Sequence, residues 1–179
     1  NGHSYGNYFD PAKDCSSVVD NVPKARSGVY WFRTQQGPFR AWCDVDTDNG
    51  GFILIGVKDT PETWAIPSNF TLVHPKGPAR WSSAFGDKKV LDFRVQISTS
   101  KEFHDTRAHW YYRFKPSRIL SKLLMSNDGG CSHQFPGIGN IAYVKNLITK
   151  KIATRRFNCS RFGGSIAPGL GWVIVLILS

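Results

Sequence analysis

The chain has 179 residues and 20.1 kDa, with 23 Lys and Arg against 13 Asp and Glu, a net charge of +10. Hydrophobic residues at 41% and charged residues at 20% exclude wholesale disorder, and the length suits a single domain with a real core. No apolar run approaches the roughly 18–20 residues of a membrane helix, so a soluble chain without membrane insertion is expected. Aromatics reach 13%, with six tryptophans, which favours sheet over helical bundle.

In chain order, residues 1–9 hold Gly, Asn and Tyr without periodicity, and a loose arm is expected as part of an N-terminal segment over 1–13. Residues 14–179 then read as one domain. Asp10-Pro11 can cap a short helix through Ala12, Cys15, Val18 and Val19. Ser27–Arg33 and Phe39–Val45 read as strands around the turn at 34–38, and Asp48-Asn-Gly-Gly51 turns into a third strand, 51–57. This predicts an antiparallel three-strand start. Residues 58–89, rich in Pro, Trp, Ser and Gly, form an ordered excursion anchored by residues such as Trp64, Val73, Trp81 and Phe85.

Val90–Ile97 and Ala108–Phe114 alternate as half-buried strands. Pro116 followed by Ile119, Leu120, Leu123 and Leu124 predicts a second amphipathic helix, stopped by Asn127–Gly130. Residues 140–147 and 151–157 read as a hairpin, and Trp172–Leu178 as a buried strand that completes the sheet. The fold class is therefore α+β: mainly antiparallel sheet with two short helices.

The chain opens at Asn1 with neither methionine nor a charged-then-apolar leader, which a removed signal peptide or a boundary within a longer chain would each explain. Four cysteines, Cys15, Cys43, Cys131 and Cys159, contain no CxxC pair, which argues against a zinc site and for disulfides. Three pairings can be drawn. Cys15–Cys43 with Cys131–Cys159 is the simplest, with a separation of 28 in both, and each closure stabilises by about 3–4 kcal/mol in the chain-entropy model. The sequons at Asn69 and Asn158 agree with secretion and predict glycosylation. A secreted, extracellular protein is expected.

The series Asp14-Cys15, Ser27-Gly-Val-Tyr30, Trp42-Cys-Asp44 and Thr47-Asp-Asn-Gly-Gly-Phe52 resembles the opening of fibrinogen-like domains. More faintly, it is similar to intelectin-type lectins and to the C-terminal propeptides of fibrillar collagens. The resemblance spans residues 14–57. It implies secretion, a Cys15–Cys43 bridge and the early sheet. After Pro116 the chain departs from that pattern: the family's later calcium loop and closely spaced cysteine pair have no counterpart, so none of its binding residues maps onto this sequence.

Asp44, Asp46 and Asp48 superficially match a calcium loop. The positions where an EF-hand needs Gly and Glu hold Asn49 and Ile55, so turn chemistry is the expected role and calcium the lesser alternative. No other cofactor is indicated. Six cations, Lys145, Lys150, Lys151, Arg155, Arg156 and Arg161, and no acidic residue, follow Asp128, which places +6 of the +10 there. Lys150, Lys151, Arg155 and Arg156 on a hairpin suit glycans or matrix polyanions, against the plainer role of an edge kept basic to discourage aggregation. Nucleic acid is the least favoured partner, since no motif for it occurs.

Trp64 and Trp81 are the tryptophans best placed for a sugar ring, the others reading as packing. The five histidines are scattered, without a nucleophile elbow or paired carboxylates, so no enzymatic activity is expected. The sequence thus points to a lectin-like or matrix-binding module. The alternative is a structural protein that assembles into an oligomer or filament.

Overall fold

The computed structural model describes residues 5–58, 68–78, 80–98, 106–120, 141–155 and 172–178. These form helix α1 (Cys15–Asn21), a 3-10 turn (Ser83–Phe85) and ten strands: β1 (Gly28–Thr34), β2 (Gly37–Asp44), β3 (Phe52–Lys58), β4 (Ser68–Asn69), β5 (Arg80–Ser82), β6 (Lys89–Ser98), β7 (Thr106–Ile119), β8 (Ile141–Asn146), β9 (Lys151–Thr154) and β10 (Trp172–Leu178). The main sheet runs β1-β2-β3-β10-β6-β7-β8-β9, and every pairing along it is antiparallel. β5 pairs with β3 and, in parallel, with β4. The apolar segment 172–178 thus lies in the middle of the sheet, between β3 and β6.

The three-strand start forms as the alternation predicts. α1 lies against it, tied to β2 by the disulfide Cys15–Cys43, with Cα atoms 5.7 Å apart. The helix begins later than Asp10-Pro11 suggested. Asp14 is its cap: its carboxylate accepts from the Ser17 N–H at 2.7 Å, and its own N–H reaches the Ser17 hydroxyl at 3.1 Å. That reciprocal pair satisfies two orphan donors, whereas the Pro11 carbonyl is taken by Arg33. Nor are residues 5–12 loose. Ala12 is buried and bridges Phe32, Trp31 donates to the Gly6 carbonyl, and the Tyr5 hydroxyl bonds Ser17, so this segment covers the outer edge of β1.

The second predicted helix is overturned at its start. Pro116–Ile119 belong to β7, where Arg118 and Ile119 pair with Val90 and Lys89. Residues between Arg113 and Arg118 have no partner in β6, and that irregularity accommodates a proline, which has no N–H to give a ladder. Residues 121–130 lie outside the described set. So do Cys131 and Cys159, with their expected pairing, and Asn158.

Successive residues alternate between two faces of the sheet. One face is hydrocarbon: Phe39, Ala41 and Cys43 of β2, Ile53 and Ile55 of β3, Phe93, Val95 and Ile97 of β6, and Tyr112 and Phe114 of β7 form the main core with α1 and Phe85. The other holds a smaller cluster of Phe52, Leu54, Val57, Val73 and Tyr111 beside a row of charged groups. The excursion after β3 is anchored by Val73 and by Phe85, whose ring meets Phe32 and Phe39.

Candidate functional site

The β2–β3 connection is shaped by one aspartate. Asp44 Oδ1 accepts from the N–H groups of Asp46 and Thr47 at 3.0 and 3.2 Å, an arrangement Asx side chains favour. Asp48, Asn49, Gly50 and Gly51 follow in succession with positive φ, 47°, 67°, 77° and 91°. Gly50 is required twice over, by its φ and because any Cβ there would collide with the Val45 carbonyl. Asp44 Oδ2 then turns inward to the Arg94 guanidinium at 2.5 Å.

Arg94 is the most deeply buried cation described, 1% exposed, and its guanidinium carbon stands 4.4 Å over the Phe52 ring. Burial lowers the Arg94 pKa and the charge of Asp44 opposes this; for Asp44, burial pushes upward, but Arg94 together with the hydrogen bonds from Thr47 and Asp46 outweighs it and holds the carboxyl below its usual range. A second buried set lies two residues along. Asp92 accepts from the Tyr111 hydroxyl at 2.5 Å and from Arg113 Nε, and burial together with that bond raises the tyrosine pKa.

His109 of β7 lies on the same face. Burial first, and the charge of Arg94 second, lower its imidazole to about 4, so it is neutral at physiological pH. Its Nε2 is buried without a hydrogen-bond partner among the described residues, as are Nε and Nη1 of Arg94.

Across from the β2–β3 turn stands the β8–β9 hairpin. Its turn is held by Asn146, whose side-chain oxygen accepts from the N–H groups of Ile148 and Thr149, and it closes with Lys150 at φ 60°. The Leu147 N–H donates to the His109 carbonyl at 2.9 Å, and Lys145 Nζ reaches Asp48 at 2.8 Å. Turn and hairpin thereby border an open cleft of about 420 Å³, lined among the described residues by Asp46–Asn49, His109, Lys145, Leu147 and Lys150.

Lys150, Lys151 and Arg155 are exposed to solvent, and none makes an ion pair among the described residues. Arg156 lies outside that set. Of the tryptophans singled out for sugar contact, Trp64 and the side chain of Trp81 also lie outside it, and Trp81 contributes β5 backbone pairing to Gly56. An exposed aromatic group occurs instead at the far edge of the sheet. There Tyr8 meets Phe9, 92% exposed, and Trp31, with Arg40 over the Trp31 ring. The sequon residue Asn69 lies in β4.

The three alternating aspartates do not converge. Asp44 serves Arg94, Asp46 accepts from Ser27 Oγ, and Asp48 pairs with Lys145. Among the described residues no three His, Cys, Asp or Glu side chains are placed to hold a metal ion. His109, Asp46 and Asn49 were not singled out from sequence as cleft residues. The one signal for His109 was the alternation of Ala108–Phe114, which puts His109, Tyr111 and Arg113 on one face.

No protein-family model matches the sequence. Among solved structures, the fibrinogen-like globe domain of human ANGPTL6 superposes with a TM-score of 0.53 over 94% of this chain and 95% of that one, at 15% identity. The corresponding domain of human ANGPTL2 gives 0.45 over 93% and 98%, at 14% identity. Lamprey fibrin D-dimer, complexed with the peptide Gly-His-Arg-Pro-amide, gives 0.33 over 57% of this chain and 34% of that one, at 20% identity. The ANGPTL6 superposition, over nearly all of both chains, shows a fibrinogen-like fold. At this identity the likeness is one of fold.

Proposed function

We propose that this chain is an extracellular, non-catalytic recognition module that binds anionic glycans through the β8–β9 hairpin. The observation that carries the reading is the exposure of Lys150, Lys151 and Arg155 on one hairpin, free of ion pairs among the described residues, while Lys145 is spent on Asp48. A field of one sign on a projecting tip draws a polyanion and pays little desolvation. The fibrinogen-like fold and the Cys15–Cys43 bridge suit an oxidising compartment. No helix among the described residues is long and apolar enough to cross a membrane.

The test is retention on immobilised heparin. Elution should need markedly less salt once Lys150, Lys151 and Arg155 are all alanine, since exposed charges act through a screened field. Unchanged elution would overturn the reading. The second reading, self-assembly, draws on β9, which ends the strand order with residues 151–153 exposed. A concentration-dependent oligomer that survives the triple substitution, with heparin retention unaltered, would favour it.

A further inference from the structure

We infer that the outer edge of β1 is a self-docking edge: residues 5–12 cover it in cis, and once they lift it pairs antiparallel with β1 of a second copy of this chain. This goes beyond the glycan reading above and rests on different residues. A strand edge presents a row of backbone donors and acceptors that any fitting strand can complete.

The outward-facing groups of β1 are already taken by the chain itself. The Trp31 N–H donates to the Gly6 carbonyl at 2.8 Å, the Trp31 carbonyl accepts from the Ala12 N–H at 2.8 Å, and the Arg33 N–H donates to the Ala12 carbonyl at 2.9 Å. Residues 6–12 thus stand where a neighbouring strand would lie.

Their hold is light. Within 6–12 only Gly6 and Ala12 are buried, and these bring almost no side chain. Residues 7–10 fold on themselves: Asn7 Oδ1 accepts from the N–H groups of Phe9 and Asp10, both at 2.9 Å, and the Gly6 N–H reaches the Asp10 carbonyl at 2.8 Å. Further contacts are the Tyr5 hydroxyl on Ser17 Oγ at 2.7 Å, Arg33 Nε on the Pro11 carbonyl at 2.9 Å, and the Tyr8 ring against Trp31. A segment that buries so little apolar area opens locally more easily than the sheet behind it.

The strand beneath suits a copy of itself. Gly28–Thr34 reads GVYWFRT, a run of high β propensity with a single charge. Alternation adds Val29 to Trp31 and Arg33 as residues whose backbone faces outward. A two-fold axis at Trp31 makes that residue its own hydrogen-bonded partner and sets Val29 opposite Arg33 at both ends of the ladder. Both of those residues are exposed, and the one charge of the strand then meets an apolar side chain rather than its own kind.

The experiment compares the intact chain with Gly6→Val by amide hydrogen exchange at low protein concentration and by sedimentation velocity. Gly6 stands at φ 82°, and a Cβ there would lie 3.0 Å from the Tyr30 ring, so a β-branched residue strains the cover where it first meets β1. The Trp31 and Arg33 amides should exchange about tenfold faster in Gly6→Val. That variant should dimerise with a Kd on the order of 0.1 mM, at concentrations where the intact chain sediments as a monomer. Adding Val29→Lys, which places like charges opposite Arg33 twice per dimer, should weaken association about fivefold, and Val29→Glu should tighten it. Should Gly6→Val fail to fold, Tyr5→Phe removes the hydroxyl that bonds Ser17 and accepts from the Lys13 N–H, and should speed the same two amides about two- to threefold, with dimerisation in proportion.

A variant whose Trp31 and Arg33 amides open while it stays monomeric overturns the inference. So does a dimer indifferent to charge at position 29, and so do amides that exchange equally fast with and without the substitutions.

Discussion

On one face of the sheet Phe93, Val95, Ile97, Tyr112 and Phe114 are packed as hydrocarbon, whereas the alternate residues of the same two strands include the buried Asp92, Arg94 and Tyr111, with His109 and the partly exposed Arg113 beside them. The first face is ordinary core: apolar area leaves water, and each large side chain contributes about 1.5–3 kcal/mol. The second is expensive. Two charges taken from water seldom gain more from each other than well-packed apolar residues would give, so Arg94–Asp44 is poor value as a pure stabiliser. What that face gains is definition: Asp44 shapes the β2–β3 turn, Arg94 anchors Asp44, and the cleft lies at the end of this line. The contrast separates residues that hold the fold together from residues that aim a surface.

The largest expected effect tests whether Arg94 is truly desolvated. Asp44→Ala leaves an unpaired buried guanidinium and should cost about 3–5 kcal/mol by urea denaturation, most of it recovered when Arg94→Met is added. A single-variant loss below about 1 kcal/mol would make the two faces alike in kind.

The next effect is a pH dependence confined to the polar face. The folded state lowers His109 from 6.5 to about 4, so the unfolded chain binds the proton more readily. Stability is therefore intact above pH 6.5 and declines as pH falls from 6.5 to about 4, by a total of about 3 kcal/mol. Asp44, held below its ordinary 3.8, adds its loss only at lower pH still. Thermal melts across this window should flatten between pH 6.5 and 4 in His109→Gln, and an unchanged slope would remove His109 as the cause.

The smallest effect comes where the polar face meets solvent. Lys145 and Asp48 are 26% and 27% exposed, and Lys145→Met should change stability by less than about 1 kcal/mol. A larger loss would mean that the pair holds the hairpin in place as well as bridging to the turn.

Local chemistry made the first third legible. Alternation in residues 28–44, the paired glycines before Phe52 and the Asp14-Cys15 element each act over a few residues, and the strands formed where they indicated. Two local signals were outcompeted. Asp10-Pro11 had the makings of a helix start, but Ala12 was drawn into a bridge with Phe32 and the Asp14–Ser17 box capped the helix instead. The 3.6-residue pattern from Pro116 gave way at its start to strand pairing, because Lys89 and Val90 offered β7 two further partners. The cleft left almost no trace in the sequence. Asp44 and Arg94 are 50 positions apart and Asp48 and Lys145 are 97 apart, and no window of neighbouring residues contains either pair.

By itself, then, the sequence determined the sheet-rich class, the early strands, the apolar final strand and the cationic hairpin, all of which follow from propensity and side-chain alternation within short stretches. Only the tertiary structure decided that the final strand lies between β3 and β6, that Lys145 is neutralised while Lys150, Lys151 and Arg155 stay free of ion pairs among the described residues, and that His109 faces the turn at Asp46–Asn49. The reason is physical: strand order and long-range charge pairing come from closing the sheet as a whole, and no single segment contains the partners that closure brings together.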